Sequence, residues 1–220
     1  MAVGIILSVN QQKLLQLIGK DKIICDNFYL TGGTALAEYY LQHRLSEDLD
    51  FFSETEFIPQ VISVFFKKIQ KKAGIKKIEF EQSFNRNLFF LDLGGDSIKT
   101  EFTYFPFSRI EKTKKIGQLA IDSLVDIAVN KVFTIYQKPR ARDFIDLYLI
   151  IQQQGWKIAD LTKKAKVKFD WHIDPLQLGS QFMQATEVKD YPKMTVEIKH
   201  EDWQKFFTAE AKKFKNKILV

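Results

Sequence analysis

The sequence predicts an α+β fold, a mixed core followed by a helical lobe, and three observations predict it. A strand, glycine turn, helix and second strand run in order through DNFYLTGGTALAEYYLQHRLSEDLDFF, three short strand patterns follow between residues 75 and 105, and helical periodicity takes over past residue 115. In chain order, SVNQQKLLQLIGK spaces Leu14, Leu15, Leu17 and Ile18 at three- and four-residue steps, with Ser8 as cap and Gly19 as stop, so a packing helix comes first. The double-glycine block then supplies a short aromatic strand, the turn Gly32-Gly33, the helix AEYYLQH and an alternating strand through Asp48 and Asp50. PQVISVFFKKIQKK forms the next helix, with Val61, Phe65 and Ile69 on one stripe, lysines opposite and Gly74 as its end. IKKIEFEQ, RNLFFLDLG and IKTEFTYF read as strands separated by polar or glycine turns.

Past residue 115 the β signal fades. IDSLVDIAVNKVFTIYQ carries Leu124, Ile127, Ala128, Val132 and Ile135 at helical spacing, and Pro139 divides it from RARDFIDLYLIIQQQG, where Phe144, Leu147, Tyr148 and Ile151 make another stripe. LTKKAKVKFDWHIDPLQLGSQFMQA gives two shorter helices interrupted at Pro175, and EDWQKFFTAEAKKFKNKILV a terminal one. The change of period sets a core at residues 1–115 and a helical lobe at 116–220, with a soft boundary between residues 106 and 120.

Composition narrows the class. With 220 residues, 45% hydrophobic and 27% charged, the chain can bury a substantial core and does not have a disordered composition. The formal charge of +6 suits solubility and a mild preference for anionic partners, but is too small to establish nucleic-acid binding. Lysine runs from Lys67 to Lys77, 163 to 168 and 212 to 217 can track an RNA backbone or simply solvate a face. The single Cys25 excludes an intramolecular disulfide framework and an all-cysteine metal site. No apolar run reaches membrane-spanning length and MAVGIILSVN lacks a basic leader, so a soluble cytoplasmic protein with no membrane partner is expected.

The chemistry-bearing residues start with Asp48 and Asp50, two apart in a strand and therefore on one face, a pair suited to magnesium completed by water and phosphate oxygens. Gly32, Gly33 and Thr34 form a strand-to-helix turn whose backbone N–H groups can cradle phosphate. Glu101 is the expected third carboxylate, ahead of Asp92, because Lys99, Glu101 and Thr103 alternate with Ile98, Thr100, Phe102 and Tyr104. A third anion beside Asp50 completes a wall on which two metals can clamp a transferring phosphoryl group. In the helical half, Lys131 can neutralise phosphate, Arg140 or Arg142 can contact phosphate or acceptor RNA, and Asp143 or Asp146 can orient those cations; a helix-surface ion-pair network, with Arg142 meeting Asp146, is the plainer account. His43, His172 and His200 have no metal-ligand spacing, and Arg44 suits a structural ion pair or a phosphate contact.

These residues resemble the AbiEii family of abortive-infection nucleotidyltransferase toxins, within the polymerase-beta-like superfamily. YLTGGTALAEYYLQHRLSEDLDFF (29–52) resembles the family's first motif, IKTEF (98–102) its third-carboxylate strand, and IAVNKVFTIYQKPRARDFIDLYLI (127–150) its helical continuation, with Asn130-Lys131 and Arg142-Asp143-x-x-Asp146. The resemblance spans roughly residues 7 to 150, with Glu47 and Lys138-Pro139 as local departures. It implies a polymerase-beta-like core, with Gly32, Gly33 and Thr34 as the nucleotide-phosphate turn, Asp48, Asp50 and Glu101 as metal ligands, and Lys131 and Asp143 as active-site residues of the lobe. It also implies Mg2+, with Mn2+ as an alternative, a nucleoside triphosphate substrate, a cognate antitoxin, and RNA or tRNA as acceptor. The expected activity is metal-dependent nucleotidyl transfer; the alternatives are a noncatalytic nucleotide- or RNA-binding module and, below it, a metal-dependent nuclease.

Overall fold

A computed structural model describes residues 6–215 of the chain. The chain divides into two compact units, Met1–Ser108 with Lys112–Ser123, and Arg109–Glu111 with Leu124–Val220. The first unit opens with α1 (Val9–Ile18), started by a reciprocal cap in which the Gln11 amide donates to Ser8 Oγ and the Ser8 amide to Gln11 Oε1, at 3.1 and 2.8 Å. A short helix that the apolar pattern does not announce, α2 (Lys22–Asn27), follows because Asp21 caps the amides of Ile23 and Ile24. Then come β1 (Tyr29–Thr31), α3 (Gly32–Leu36), which widens into a π turn over Ala37–Leu41, and β2 (Leu49–Ser53). Helix α4 (Gln60–Ala73) ends at Gly74, whose φ of 85° a side chain would resist. Its buried side is Ile62, Phe65, Phe66, Ile69 and Ala73, whereas Val61, expected on the stripe, faces outward at 38% exposure.

Strands β3 (Lys77–Ser83), β4 (Arg86–Asp92) and β5 (Ser97–Tyr104) form an antiparallel meander, and β5 then pairs in parallel with β2. The β structure continues past residue 115, contrary to the expectation from periodicity. Strands β6 (Lys114–Ile116) and β7 (Leu119–Ile121) form a hairpin about Gly117, and β7 joins β1 in parallel. Segments of three residues are too short to display a two-residue period, which is why the pattern misses them. The sheet order is β3-β4-β5-β2-β1-β7-β6. Its core face is aromatic: Phe51 stacks on Phe102 at 4.8 Å between ring centroids, and Phe66 of α4 meets Phe89 and Phe102 at 5.2 and 6.0 Å. All four rings are fully buried, each contributing roughly 1.5–3 kcal/mol by leaving water.

The second unit holds α5 (Leu124–Gln137), α6 (Ala141–Gln154), α7 (Ile158–Phe169), α8 (Pro175–Met183) and α9 (His200–Lys215). Pro175 opens α8 in its first turn, where no amide donor is needed, behind the cap Asp174. Phe144 of α6 packs on Trp203 and Phe207 of α9, and Phe182 of α8 meets Phe207 at 5.2 Å. A buried ion pair, Lys168 to Asp126 at 2.7 Å, completes this interior; the same carboxylate accepts the amides of Ile110 and Glu111, which ties residues 109–111 to the helices. The end of the sequence after residue 215, including Lys217 of the last lysine run, lies outside the described residues. No helix among the described residues is long and apolar enough to cross a membrane.

Candidate active site

Strand register assembles the acidic face. Asp50 of β2 lies opposite Thr31 of β1 on one side and Glu101 of β5 on the other, so the two carboxylates are cross-strand neighbours on one face. The intervening Phe51 and Phe102 turn into the core on the other face. Asp48 does not belong to the strand as expected; it immediately precedes β2, in the loop leading out of Arg44. That loop is pinned from two sides. Gln11 of α1 donates to the carbonyls of Ser46 and Glu47 at 3.0 and 2.9 Å, and the Thr34 hydroxyl bonds Ser46 Oγ at 2.8 Å and donates to the Asp48 carbonyl.

The glycines of the turn are explained by what presses on them. Gly32 has φ of 70°, and a Cβ there would lie 2.5 Å from Asp50 Oδ2 and 3.3 Å from both Asp50 Cβ and Cγ. A Cβ on Gly33 would overlap Arg44 Nη2. The carboxylate of Asp50 therefore sits directly against the glycine turn, which no residue other than glycine allows at that backbone angle. Thr34 is fully buried, and its hydroxyl is occupied with Ser46 and Asp48. Beside the turn, Thr31 Oγ1 donates to the buried Asp122 at 2.6 Å, and the Tyr40 hydroxyl donates to the Asp122 carbonyl at 2.7 Å, joining β1 and the π turn to the end of β7.

Two cations meet the carboxylates. Arg86 Nε and Nη2 fork onto Glu101 Oε1 and Oε2 at 2.7 and 2.6 Å, and Thr103 Oγ1 donates to Oε1 at 2.8 Å. Burial pushes the Glu101 carboxyl upward, but hydrogen bonds from Arg86 and Thr103, with the charges of Arg86 and Lys99, outweigh it and leave the pKa below the usual range. The Arg86 pKa is raised, first by its bonds to Glu101 and, against burial, by the charges of Glu101, Asp50 and Asp48. Lys99 Nζ meets Asp48 Oδ2 at 2.9 Å. Among the described residues no three His, Cys, Asp or Glu side chains converge closely enough to hold a metal ion. The residues do fit a magnesium site of lower demand, because Mg2+ is commonly held by one or two carboxylates with water and substrate phosphates.

In the helical unit, Lys131 of α5 reaches Asp143 and Asp146 of α6 at 2.6 and 2.7 Å, and Arg140 Nε reaches Asp143 at 3.0 Å. Burial raises the Asp143 carboxyl, yet Lys131 and Arg140 bring it below its ordinary value. The expected Arg142 to Asp146 pair does not form: Asp146 is fully buried and taken by Lys131, and Arg142 has no ion pair among the described residues. Sequence reasoning missed Arg86 and gave Lys99 no role. The hairpin supplies the missing signal, since Arg86 pairs with Thr103, one pleat from Glu101 on the same face.

Comparison with known proteins follows the same lines. An uncharacterized protein of Aquifex aeolicus is 30% identical over 193 residues, covering 87% of this chain and 89% of the relative. JHP933 from Helicobacter pylori has a structure similar to this one, with a TM-score of 0.61 at 21% identity over 95% of this chain and 92% of that one. A candidate nucleotidyltransferase from H. pylori gives 0.62 at 21% identity, over 96% and 97%. These two likenesses establish the fold, a central sheet core with a C-terminal helical lobe. The family model of the nucleotidyl transferase AbiEii toxin, type IV toxin-antitoxin system, matches residues 19–217, and by that match the chain belongs to the AbiEii nucleotidyltransferase family.

Proposed function

We propose that the protein is a metal-dependent nucleotidyltransferase that moves a nucleoside monophosphate from a triphosphate to an acceptor hydroxyl, with RNA, tRNA among it, as the acceptor class. The observation that carries this reading is the position of Asp50, paired in register with Glu101 and pressed against the Gly32 turn. Asp48 and Asp50 would hold the ion, which when bound supplies Lewis-acid polarisation and lowers the pKa of the attacking hydroxyl. The acceptor oxygen forms a bond to the α-phosphorus as the bond to the pyrophosphate oxygen breaks, in line. The turn at Gly32 and Gly33 offers backbone N–H groups to the phosphates, while the buried Thr34 hydroxyl fixes the loop that presents Asp48. In the helical unit, Arg140 and Arg142 are assigned to phosphate or acceptor contacts, Lys131 to charge neutralisation, and Asp143 to holding Lys131 and Arg140 in place. Membership of a type IV toxin family supports toxin activity and a separate cognate antitoxin as partner.

The test is incubation of the purified protein with each labelled triphosphate, Mg2+ or Mn2+, and total RNA, beside folded Asp48→Ala and Asp50→Ala variants. Incorporation by the wild type alone is expected. Equal labelling by all three would overturn the assignment of the site, and metal-dependent binding without any product would favour a noncatalytic module.

A further inference from the structure

We propose that Arg86, held by Glu101, is the fixed cation of this site: it binds the triphosphate in place of a second metal ion, and the face takes one divalent ion through Asp48 and Asp50. The inference rests on the nucleotide-binding reading above but assigns a residue and a metal count that the reading leaves open. Three observations lead to it. Glu101 is only 9% exposed at its side chain, and both its oxygens are engaged by three short bonds, two from the guanidinium and one from Thr103. Metal ligation would require that carboxylate, itself largely shielded from water, to give up a charge-assisted fork. Arg86, in contrast, is 54% exposed at its side chain, and the fork uses Nε and Nη2, not Nη1.

The guanidinium also lies within the field of the other two carboxylates, since both Asp50 and Asp48 add to its raised basicity. A permanent positive charge beside Asp48 and Asp50 raises the electrostatic cost of a second divalent ion there. The same charge favours an anion bridging Arg86 and a single ion on the two aspartates, and a planar guanidinium matches phosphate oxygens in geometry as well as charge. Glu101 and Thr103 hold the guanidinium in position before the anion arrives, which reduces the ordering cost of binding. Glu101 is thus a positioning residue acting through Arg86.

The experiment measures binding, independent of turnover. Nonhydrolysable α,β-methylene analogues of the four nucleoside triphosphates are titrated against wild type, Arg86→Met, Arg86→Lys, Glu101→Gln and the double variant Arg86→Met/Glu101→Gln, and bound Mn2+ is counted by electron paramagnetic resonance at saturating analogue. The double variant leaves no unpaired buried charge, so it keeps the comparison valid where Arg86→Met alone fails to fold. One Mn2+ per chain is expected in the wild type and in Glu101→Gln, with analogue affinity roughly 10- to 100-fold weaker in Arg86→Met and in the double variant. Arg86→Lys is expected to recover part of that loss. Wild-type affinity in the double variant, or two Mn2+ in the wild type falling to one in Glu101→Gln, would overturn the inference and leave the nucleotidyltransferase reading standing. Failure of the wild type to bind any analogue would overturn both.

Discussion

Replacing Gly32 by alanine tests the contact on which the site is built. Two costs add. The backbone at φ of 70° is left-handed, which a residue with a Cβ adopts at roughly 1–2 kcal/mol. The new Cβ would also lie 2.5 Å from Asp50 Oδ2 and 3.3 Å from Asp50 Cβ. The second distance decides the matter, because rotating the carboxylate cannot move a Cβ fixed by the backbone of a strand paired on both sides. The turn must therefore shift, at a further roughly 1–3 kcal/mol typical of overpacking. A total of roughly 2–5 kcal/mol lowers the unfolding midpoint by roughly 4–20 °C for a chain of this size. Differential scanning calorimetry reads that loss, and Mn2+ affinity should fall with it because the Asp50 carboxylate must rotate away from the new Cβ. Gly33→Ala is the internal comparison: its backbone is not left-handed and its close neighbour is the far end of the Arg44 side chain, so it should cost less. A Gly32→Ala protein with the wild-type midpoint and wild-type Mn2+ affinity, or a larger loss in Gly33→Ala, would refute the reasoning.

Lys131→Met should be severely destabilising, by roughly 3–5 kcal/mol, because it removes the cation shared by the buried carboxylates of Asp143 and Asp146; thermal unfolding measures it, and an unchanged midpoint would show that the pairs contribute nothing. Stability should fall on acidification. The native pKa values of Glu101 and Asp143 are depressed, so each contributes stability that is fully present above the ordinary carboxylate range and is lost as pH falls through the native value. Urea midpoints between about pH 3 and 7 should rise with pH and then level, with a shallower rise in Arg86→Met/Glu101→Gln; midpoints that rise on acidification would contradict the sign.

Much of the fold is legible because it is encoded locally. Ser8 declares the start of α1, Gly74 the end of α4, and the spacing of Phe144, Leu147 and Ile151 the helix α6. Elements too short for a period are not legible: α2 depends on the single cap Asp21, and β6 and β7 are recognised as strands only by their partners. On α4 the predicted stripe fails by one residue, since two adjacent phenylalanines, Phe65 and Phe66, are both buried and widen the apolar face toward Ile62 and away from Val61. The turn glycines are visible in the sequence, but their closest neighbours, Asp50 and the Arg44 guanidinium, are supplied by the fold.

The same division between local and long-range information explains why the acidic residues of this sheet face are visible in the sequence and the cations facing them are not. Asp48 and Asp50 advertise themselves by being two apart, and Glu101 by alternation within one strand. Their partners come from other strands or other positions in register: Arg86 is 15 residues from Glu101, and Lys99 is 51 residues from Asp48. Neither separation is a pattern in a single sequence. A linear reading therefore counts the anions of a sheet face and leaves out the cations facing them, and so overstates how much positive charge the face must import as metal. Here the folded face gives Glu101 to Arg86 and Asp48 to Lys99. Lys99 and Arg86 differ in what they can yield. A lysine at 2.9 Å from a carboxylate, both about 30% exposed, can swing into water on its flexible stem when an ion arrives, whereas the doubly bonded guanidinium cannot leave Glu101 without breaking both bonds. The exchangeable cation thus lies on Asp48 and the fixed one on Glu101, and under the proposed function this asymmetry would direct a metal ion to the aspartate end of the face.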